Sequence, residues 1–326
     1  MKRRHFFLGS VALLAAPLAV LAQQGKIPRI GFLISETLSG QANRNRIEAL
    51  RAGLRELGYV EGKNIVIEFR SADGNYERLS ELAAELVRLK VDVLVAFGSK
   101  AVLAAKGATA TIPIVVPSGG DPVAMGLVSS LARPGGNITG ATAFTQEITA
   151  KRLGLLKEAV PGIARVGMLI NSANPASRLA FEAAFATAKS LKLEWLAFEI
   201  RSPKEFGSAF AAMTKGRVNA LVVSTDTLFG ASYEELANLA ARQRLPAVGA
   251  KEFAELGGLI GYGADSVALY RRAAYFVDRI LKGAKPADLP VERPTRFELV
   301  INLKTAKALG IKIPQALLLR ADQVIE

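Results

Sequence analysis

The chain has 326 residues, a formal net charge of +13, a single histidine and no cysteine. Its length buries a large core and suits two domains better than one. The absence of cysteine from the sequence excludes disulfides, cysteine nucleophiles and a lipid anchor of the lipoprotein type.

The first 22 residues predict an export signal. Lys2–Arg4 is followed by an apolar stretch, Phe6–Leu21, which ends in the small-residue pattern Val20-Leu21-Ala22. A membrane anchor is the alternative, but the stretch barely reaches the roughly 17–20 residues that a spanning helix needs. Arg3-Arg4 also resembles a twin-arginine signal. We therefore expect a periplasmic protein whose signal is removed together with His5, the only histidine, and this excludes histidine-based triads and zinc sites.

The high basic charge admits a nucleic-acid-binding protein as one interpretation. However, the basic residues alternate with acidic ones along predicted helices, as in Arg44–Glu48 and Tyr76–Arg78, and no run of basic residues with aromatics occurs. This pattern is typical of a solvated surface. We therefore expect no nucleic-acid partner.

Apolar runs of strand length alternate with helix-period segments along most of the chain. In one such segment Ile47, Leu50 and Leu54 share a helix face. Strand–helix alternation gives parallel sheets covered by helices on both faces, so the predicted fold class is α/β. The predicted strands are, in chain order, 29–34, 64–69, 91–97, 112–116, 164–170, 193–198, 218–223 and 246–248.

The first four and the last four strands follow each other at similar intervals, which predicts two similar α/β lobes. Pro134–Gly140 is rich in glycine and suits a crossover from the first lobe to the second. A second glycine-rich stretch, Gly257–Gly263, would carry the chain back. The helix predicted over Asp265–Leu281 would then complete the first lobe.

Small and polar residues follow the strands at their carboxyl ends, which is where open parallel sheets bind ligands. We therefore expect a ligand cleft between the two lobes, lined by these residues. The candidate ligand-binding residues are Ser35, Gly98, Ser99, Lys100, Gly119, Asp121, Phe144, Asn171, Asn174, Thr225, Asp226 and Glu252.

Several of these candidates also have a purely structural interpretation. Asp121, which precedes a proline, fits the N-cap of a helix, and Asp226 fits another. Asn171 and Asn174 either form a turn or line the cleft. The sequence leaves these alternatives open.

Ser99 and Lys100 could bind a ligand carboxylate or act as a catalytic pair. Free amides at the start of the helix that follows would suit a ligand carboxylate, and Lys100 would add a charge, although a surface lysine is the commoner case. The pair lacks the S-x-x-K spacing of a serine nucleophile.

Residues 118–126 lack the ending of a P-loop, and no G-x-G-x-x-G opens a helix. We expect no catalysis, no cofactor and no metal.

Four parts of the sequence together resemble one known family. They are Leu57–Asn64 (LGYVEGKN), Gly120–Val123 (GDPV) with Arg133–Gly140 (RPGGNITG), Ile280–Pro286 (ILKGAKP) and Ile301–Ile311 (INLKTAKALGI). The chain after the signal resembles the ABC-transporter substrate-binding proteins of the type 1 periplasmic binding protein family, in the branch with tryptophan and tyrosine uptake proteins.

The resemblance implies two Rossmann-like lobes with parallel sheets joined by three hinge crossovers, near 137–143, 257–263 and 289–300. The N-terminal lobe would comprise 27–138 plus 264–290, and the C-terminal lobe 139–262 plus 291–326.

The same resemblance implies a monomeric solute receptor that closes on a small molecule and delivers it to an inner-membrane permease with its ATPase. Gly98–Ala101 differs from the Thr-Pro-Ala of the amino-acid-binding members, and Thr227 stands where they tend to have Asn. These differences argue against an aromatic amino acid, whereas Lys100 favours a carboxylate. The alternatives are a ligand-sensing module of a membrane receptor and an enzyme without histidine.

Overall fold

The computed structural model describes residues 26–143 and 145–326. The predicted export signal, 1–22, lies outside them. Among the described residues, no helix combines the length and apolar character needed to cross a membrane.

Twelve strands and thirteen helices alternate along the described chain. The strands are β1 (Arg29–Ile34), β2 (Val66–Ser71), β3 (Val93–Phe97), β4 (Ile114–Val116), β5 (Ile138–Gly140), β6 (Arg165–Asn171), β7 (Glu194–Ile200), β8 (Ala220–Val223), β9 (Ala247–Gly249), β10 (Ile260–Ala264), β11 (Phe297–Asn302) and β12 (Gln323–Ile325). The helices are α1 (Gln41–Glu56), α2 (Leu79–Arg88), α3 (Ser99–Ala108), α4 (Thr145–Ala159), α5 (Pro175–Ala183), α6 (Phe185–Ser190), α7 (Phe206–Lys215), α8 (Thr227–Gly230), α9 (Tyr233–Arg242), α10 (Lys251–Glu255), α11 (Ser266–Leu281), α12 (Leu303–Leu309) and α13 (Gln315–Leu318).

The first sheet has five parallel strands in the order β2-β1-β3-β4-β5. Helices cover both of its faces, so a strand inside it is apolar on both sides. In β1, Ile30 and Phe32 join the core beneath α1 and α11, whereas Leu33 joins the core beneath α2 and α3. We call this sheet, with α1, α2, α3 and α11, the first lobe.

The second sheet has seven strands in the order β12-β11-β10-β9-β8-β6-β7. All neighbours run parallel except β10 and β11, which are antiparallel. We call this sheet, with α4–α10, α12 and α13, the second lobe. The eight predicted strands are all present with ends shifted by a few residues, and the α/β prediction is confirmed.

The chain passes between the lobes three times: after β5, after β10, and between the turn Pro286–Asp288 and β11. The middle crossover was predicted at 257–263, and this position is wrong because β10 occupies Ile260–Ala264. The glycines there serve close packing, since a Cβ atom on Gly261 would lie 2.7 Å from the Cα of Lys251.

Two of the predicted boundaries between the lobes fall inside strands of the structure. The boundary at 138/139 falls within β5, all of which pairs with β4 in the first sheet. The boundary near 263 falls within β10, which belongs entirely to the second sheet. Because each strand is hydrogen-bonded to its neighbour along its whole length, it belongs to one lobe, and a crossover begins only after the last paired residue of the strand.

Helix α11 returns the chain to the first lobe. Its N-cap is Asp265, whose Oδ1 accepts a hydrogen bond from the amide of Ala268 at 3.0 Å. Its apolar face packs on the first sheet and on α1. The two helices approach closely at Gly53, where an added Cβ atom would lie 2.5 Å from the carbonyl oxygen of Arg271 and 2.8 Å from the Cβ of Ala274.

We expect Gly53→Ala to lower the free energy of unfolding by about 1–3 kcal/mol, because the new methyl group overpacks the contact between α1 and α11. Urea denaturation measures the change. The matched control is Gly154→Ala in α4, where a Cβ atom meets nothing within 4 Å. There the better helix propensity of alanine should stabilise the fold by about 0.5–1 kcal/mol. Equal effects at both sites would contradict the close contact.

Candidate functional site

A cavity lies between the two lobes at the carboxyl ends of their strands. It encloses about 860 Å³ of space when the open solvent at its mouth is included. The first lobe contributes Glu36 after β1, Phe97–Ser99 after β3 and Ser118–Gly120 after β4. The second lobe contributes Thr225–Thr227 after β8 and Ala250–Glu252 after β9. The edge where the strands end is therefore the edge that encloses the cavity.

Seven of the twelve residues predicted from the sequence line this cavity. They are Gly98, Ser99, Gly119, Asn174, Thr225, Asp226 and Glu252. Ser35 and Asn171 lie behind the wall, both fully buried. Phe144 lies outside the described residues.

Lys100 and Asp121 are not in the cavity wall. Asp121 Oδ1 instead accepts hydrogen bonds from the amides of Val123 at 2.9 Å and Ala124 at 3.0 Å, and so closes a turn where a helix was expected. Lys100 is half-buried on α3. Lys100 is thus not the cation of the wall, because the turn of the helix carries it away from the cleft while Ser99 faces it.

Asp226 organises the second-lobe wall. Its Oδ1 accepts from Asn171 Nδ2 at 3.0 Å and from the amide of Leu228 at 2.9 Å. Its Oδ2 accepts from Asn174 Nδ2 at 2.6 Å and from Ser177 Oγ at 3.1 Å. A carboxylate offers about four acceptor positions, and all are used. The sequence left open whether these residues cap a helix and form a turn or line the cleft, and the structure shows both. Asp226 caps α8, and its hydrogen bonds hold Asn174 in the cavity wall.

A second charged group crosses the cleft. Arg46, on α1, lies with Nη1 3.9 Å from Glu36 Oε2 and with Nη2 3.4 Å from Glu252 Oε1. Glu36 also accepts from Asn43 Nδ2 at 2.6 Å. Two carboxylates of the wall therefore share one guanidinium, whereas Lys251, also in the wall, is paired with Glu298 at 2.8 Å.

Arg152 is one of the cavity residues that sequence reasoning missed. It lies on α4, is 1% exposed and lines the cavity. Nε donates to the carbonyl oxygen of Tyr262 at 2.7 Å, and Nη1 donates to the carbonyl oxygen of Val223 at 3.2 Å and to Thr225 Oγ1 at 2.9 Å. Within residues 26–143 and 145–326, no carboxylate forms an ion pair with it. Burial lowers the pKa of Arg152 to about 10, so the guanidinium stays charged at neutral pH.

One signal in the sequence could have identified Arg152. It interrupts the buried face of α4, which otherwise carries Ile148, Leu155 and Leu156. A charged residue in the middle of an apolar helical stripe needs a polar partner, since an unpaired buried charge is costly. Glu36 was missed for a different reason: Ser35 was chosen from the same strand end, and neighbouring residues of an extended chain point in opposite directions.

The lobes touch each other beside the cavity. A Cβ atom on Gly98, whose φ is 88°, would lie 2.9 Å from Cγ2 of Thr227, and one on Gly120 would lie 3.0 Å from the Cβ of Ala176. Each glycine belongs to the first lobe and each partner to the second. The cleft is therefore in a closed conformation.

Glu36 predicts a pH dependence of stability. Burial raises its pKa above the ordinary value of 4.5, although Arg46 and Asn43 partly offset this. A raised folded-state pKa gives a contribution that is fully present below pH 4.5 and is lost as the pH rises through the folded-state value. Glu36→Gln cannot ionise, so its unfolding free energy relative to the wild type should increase from about pH 4 to pH 8. Urea denaturation at each pH measures this difference, and a flat difference would contradict the cost of burying the charge.

Comparison with known proteins agrees with this architecture. A model of the family described as ABC transporter substrate binding protein matches residues 32–325. The chain is similar to a tyrosine-binding protein of Clostridioides difficile (strain R20291), with 28% identity over 284 residues that cover 87% of this chain and 80% of the relative.

Two solved structures are similar over 92% of this chain. One is an ABC domain from Streptococcus pneumonia in complex with L-Trp, with a TM-score of 0.86, 28% identity and all of that chain covered. The other is the ligand-free, open structure of a substrate-binding protein with adhesive properties from Clostridium difficile, with a TM-score of 0.67, 25% identity and 99% of that chain covered. The resemblance seen in the sequence motifs is confirmed, as are the two Rossmann-like lobes of the type 1 periplasmic binding protein fold. The match over residues 32–325 shows that the chain belongs to the family of ABC transporter substrate-binding proteins.

Proposed function

We propose that this protein is the periplasmic receptor of an ABC importer, and that its solute is an amino acid held by both of its charges. The observation that carries the proposal is Arg152, a buried cation in the cavity wall with no carboxylate partner among the described residues. The solute would then pass to a permease and its ATPase in the inner membrane, without being chemically changed.

Arg152 favours a carboxylate because its hydrogen-bond partners among the described residues are all neutral. The oxygens of Tyr262, Val223 and Thr225 fix the orientation of the guanidinium without balancing its charge. Its Nη2 forms no hydrogen bond to the described residues. A charge-assisted pair with a ligand carboxylate would supply both the missing partner and the missing charge.

Another part of the wall favours an ammonium group. Glu36 and Glu252 share Arg46, and the hydrogen-bond donors around Asp226 are all neutral. The cavity therefore has one cationic pole and one pole with excess negative charge, an arrangement complementary to a zwitterion. An organic acid without an amino group would use only the first pole. The relatives that bind tyrosine or contain L-Trp support the same class.

The closed cleft supports a receptor that closes around its solute. The structure is closer to the L-Trp complex, with a TM-score of 0.86, than to the ligand-free open structure, with a TM-score of 0.67. We infer that the three crossovers act as the hinge. A ligand drives closure only through contacts that it makes in the closed form alone, and a solute between Arg152 and Glu36 would touch both lobes at once.

Thermal unfolding against amino acids, aromatic acids, short aliphatic acids, sugars and nucleosides tests this proposal. Because a ligand of the folded state stabilises it by mass action, about 2.7 kcal/mol at a hundredfold excess over Kd, amino acids should raise the midpoint by several degrees. Recovery of the ligand unchanged would exclude turnover. A rise with sugars or nucleosides alone would contradict the proposal.

We expect Arg152→Gln to weaken the binding of L-tryptophan or L-tyrosine by at least about a hundredfold, because it removes the partner of a desolvated carboxylate. Isothermal calorimetry measures the change. Arg152→Lys keeps the positive charge but loses the planar guanidinium group, so its affinity should lie between those of the wild type and Arg152→Gln. The control is Arg178→Gln, an exposed arginine paired with Glu199 on the surface, which should bind as the wild type does. Equal affinities of Arg152→Gln and the wild type would refute the assignment.

A further inference from the structure

Tyr76 of the first lobe reaches across the cleft into the second lobe. It begins a short 3-10 turn, Tyr76–Arg78, between β2 and α2. Its half-buried ring packs against the apolar cluster of the first lobe that contains Leu79, and also against the cluster of the second lobe that contains Phe229. The described cavity wall does not include Tyr76.

The hydroxyl group of Tyr76 fixes this contact in one place. It lies 3.1 Å from Oγ1 of Thr227, the first residue of α8. Burial raises the pKa of Tyr76, so the group remains a neutral hydrogen-bonding partner. Thr227 is also the residue that faces Gly98 of the first lobe at close range. Thr227 is thus held between two first-lobe residues next to the Asp226 network.

The contact differs from the polar link between Arg46 and Glu252, which also joins the lobes. Arg46 and Glu252 belong to the cavity wall, and a charged solute would change their interaction directly. Tyr76 contributes apolar burial and a neutral hydrogen bond away from the wall. Opening the cleft would expose its ring to water whatever the solute is.

We propose that Tyr76 is a closing residue, which stabilises the closed form without touching the solute and thereby sets solute affinity and residence time. The inference rests on the proposed function, in which closure accompanies binding. If the binding-competent closed form is only partly populated, the apparent affinity falls by that fraction. A residue that raises the closed population therefore tightens every solute alike.

The test uses two fluorescent labels on opposite lobes. Because the sequence contains no cysteine, Arg88→Cys on α2 and Lys189→Cys on α6 provide the only labelling sites. Distance distributions from single-molecule energy transfer, and the Kd and dissociation rate of L-tryptophan and L-tyrosine, are measured for wild type, Tyr76→Ala and Tyr76→Phe. Phe185→Ala, which removes an aromatic ring that is 50% exposed on the second lobe, is the matched control.

Tyr76→Ala should weaken binding by roughly ten- to a hundredfold, mainly through faster dissociation, and should lengthen the ligand-free mean distance. Tyr76→Phe keeps the ring and should lose no more than about threefold. Phe185→Ala should match the wild type. If Tyr76→Ala leaves both the distances and the dissociation rate unchanged, the proposal is overturned.

Failure of the proposed function can be separated from failure of this inference. If neither L-tryptophan nor L-tyrosine binds the wild type, the amino-acid assignment fails, and the ligand-free distances alone decide about Tyr76. A longer distance in Tyr76→Ala then supports the closing role, and identical distributions overturn it. Conversely, Arg152→Gln should lose binding while its ligand-free distances stay those of the wild type.

Discussion

A buried guanidinium that forms no ion pair with any described carboxylate is the constraint on which the candidate site depends. Arg152 is held by two backbone carbonyls and one hydroxyl of its own lobe, which solvate it without neutralising it. Such an arrangement costs free energy in the ligand-free protein, because a buried cation prefers a paired anion. A solute carboxylate that enters the cavity pairs with Arg152 and removes the free-energy cost of the unpaired cation. This gain adds to the binding free energy and favours solutes with an anionic group.

The fold forms this site by bringing the carboxyl ends of the strands of both sheets to the cleft. Parallel strands in both sheets end at the cleft, so short polar loops from distant parts of the chain meet there. Asp226 joins two of these loops through three hydrogen bonds and caps α8 with a fourth, and this fixes the second-lobe wall before any solute arrives. Glu36 and Arg46 provide the charged wall of the first lobe. Rigid walls on two hinged lobes give a site that is complete only when the cleft closes.

The sequence predicted those features that have a local cause. Fully buried strands such as β1 and β8 are continuous apolar runs, and strand ends such as Gly98 and Asp226 fall where the topology requires. The stretch 257–263, which contains most of β10, was interpreted as a crossover because it is rich in glycine, whereas Gly261 serves close approach to Lys251. Arg152 could not be placed because its partners, Val223 and Tyr262, lie far along the chain. Lys100 was named as a candidate cation although a surface lysine is the commoner case, and only the phase of α3 shows that Ser99 and not Lys100 faces the cleft.

The most direct test of the account measures binding of one solute skeleton in three charge states, with four compounds. Calorimetric titration would compare L-tryptophan with its amide, with tryptamine and with indole-3-propionate. The account predicts that the zwitterion binds tightest and that loss of the carboxylate, in the amide or in tryptamine, costs at least about a hundredfold. Loss of the ammonium group should weaken binding as well. Equal affinities for L-tryptophan and its amide would contradict the role assigned to Arg152.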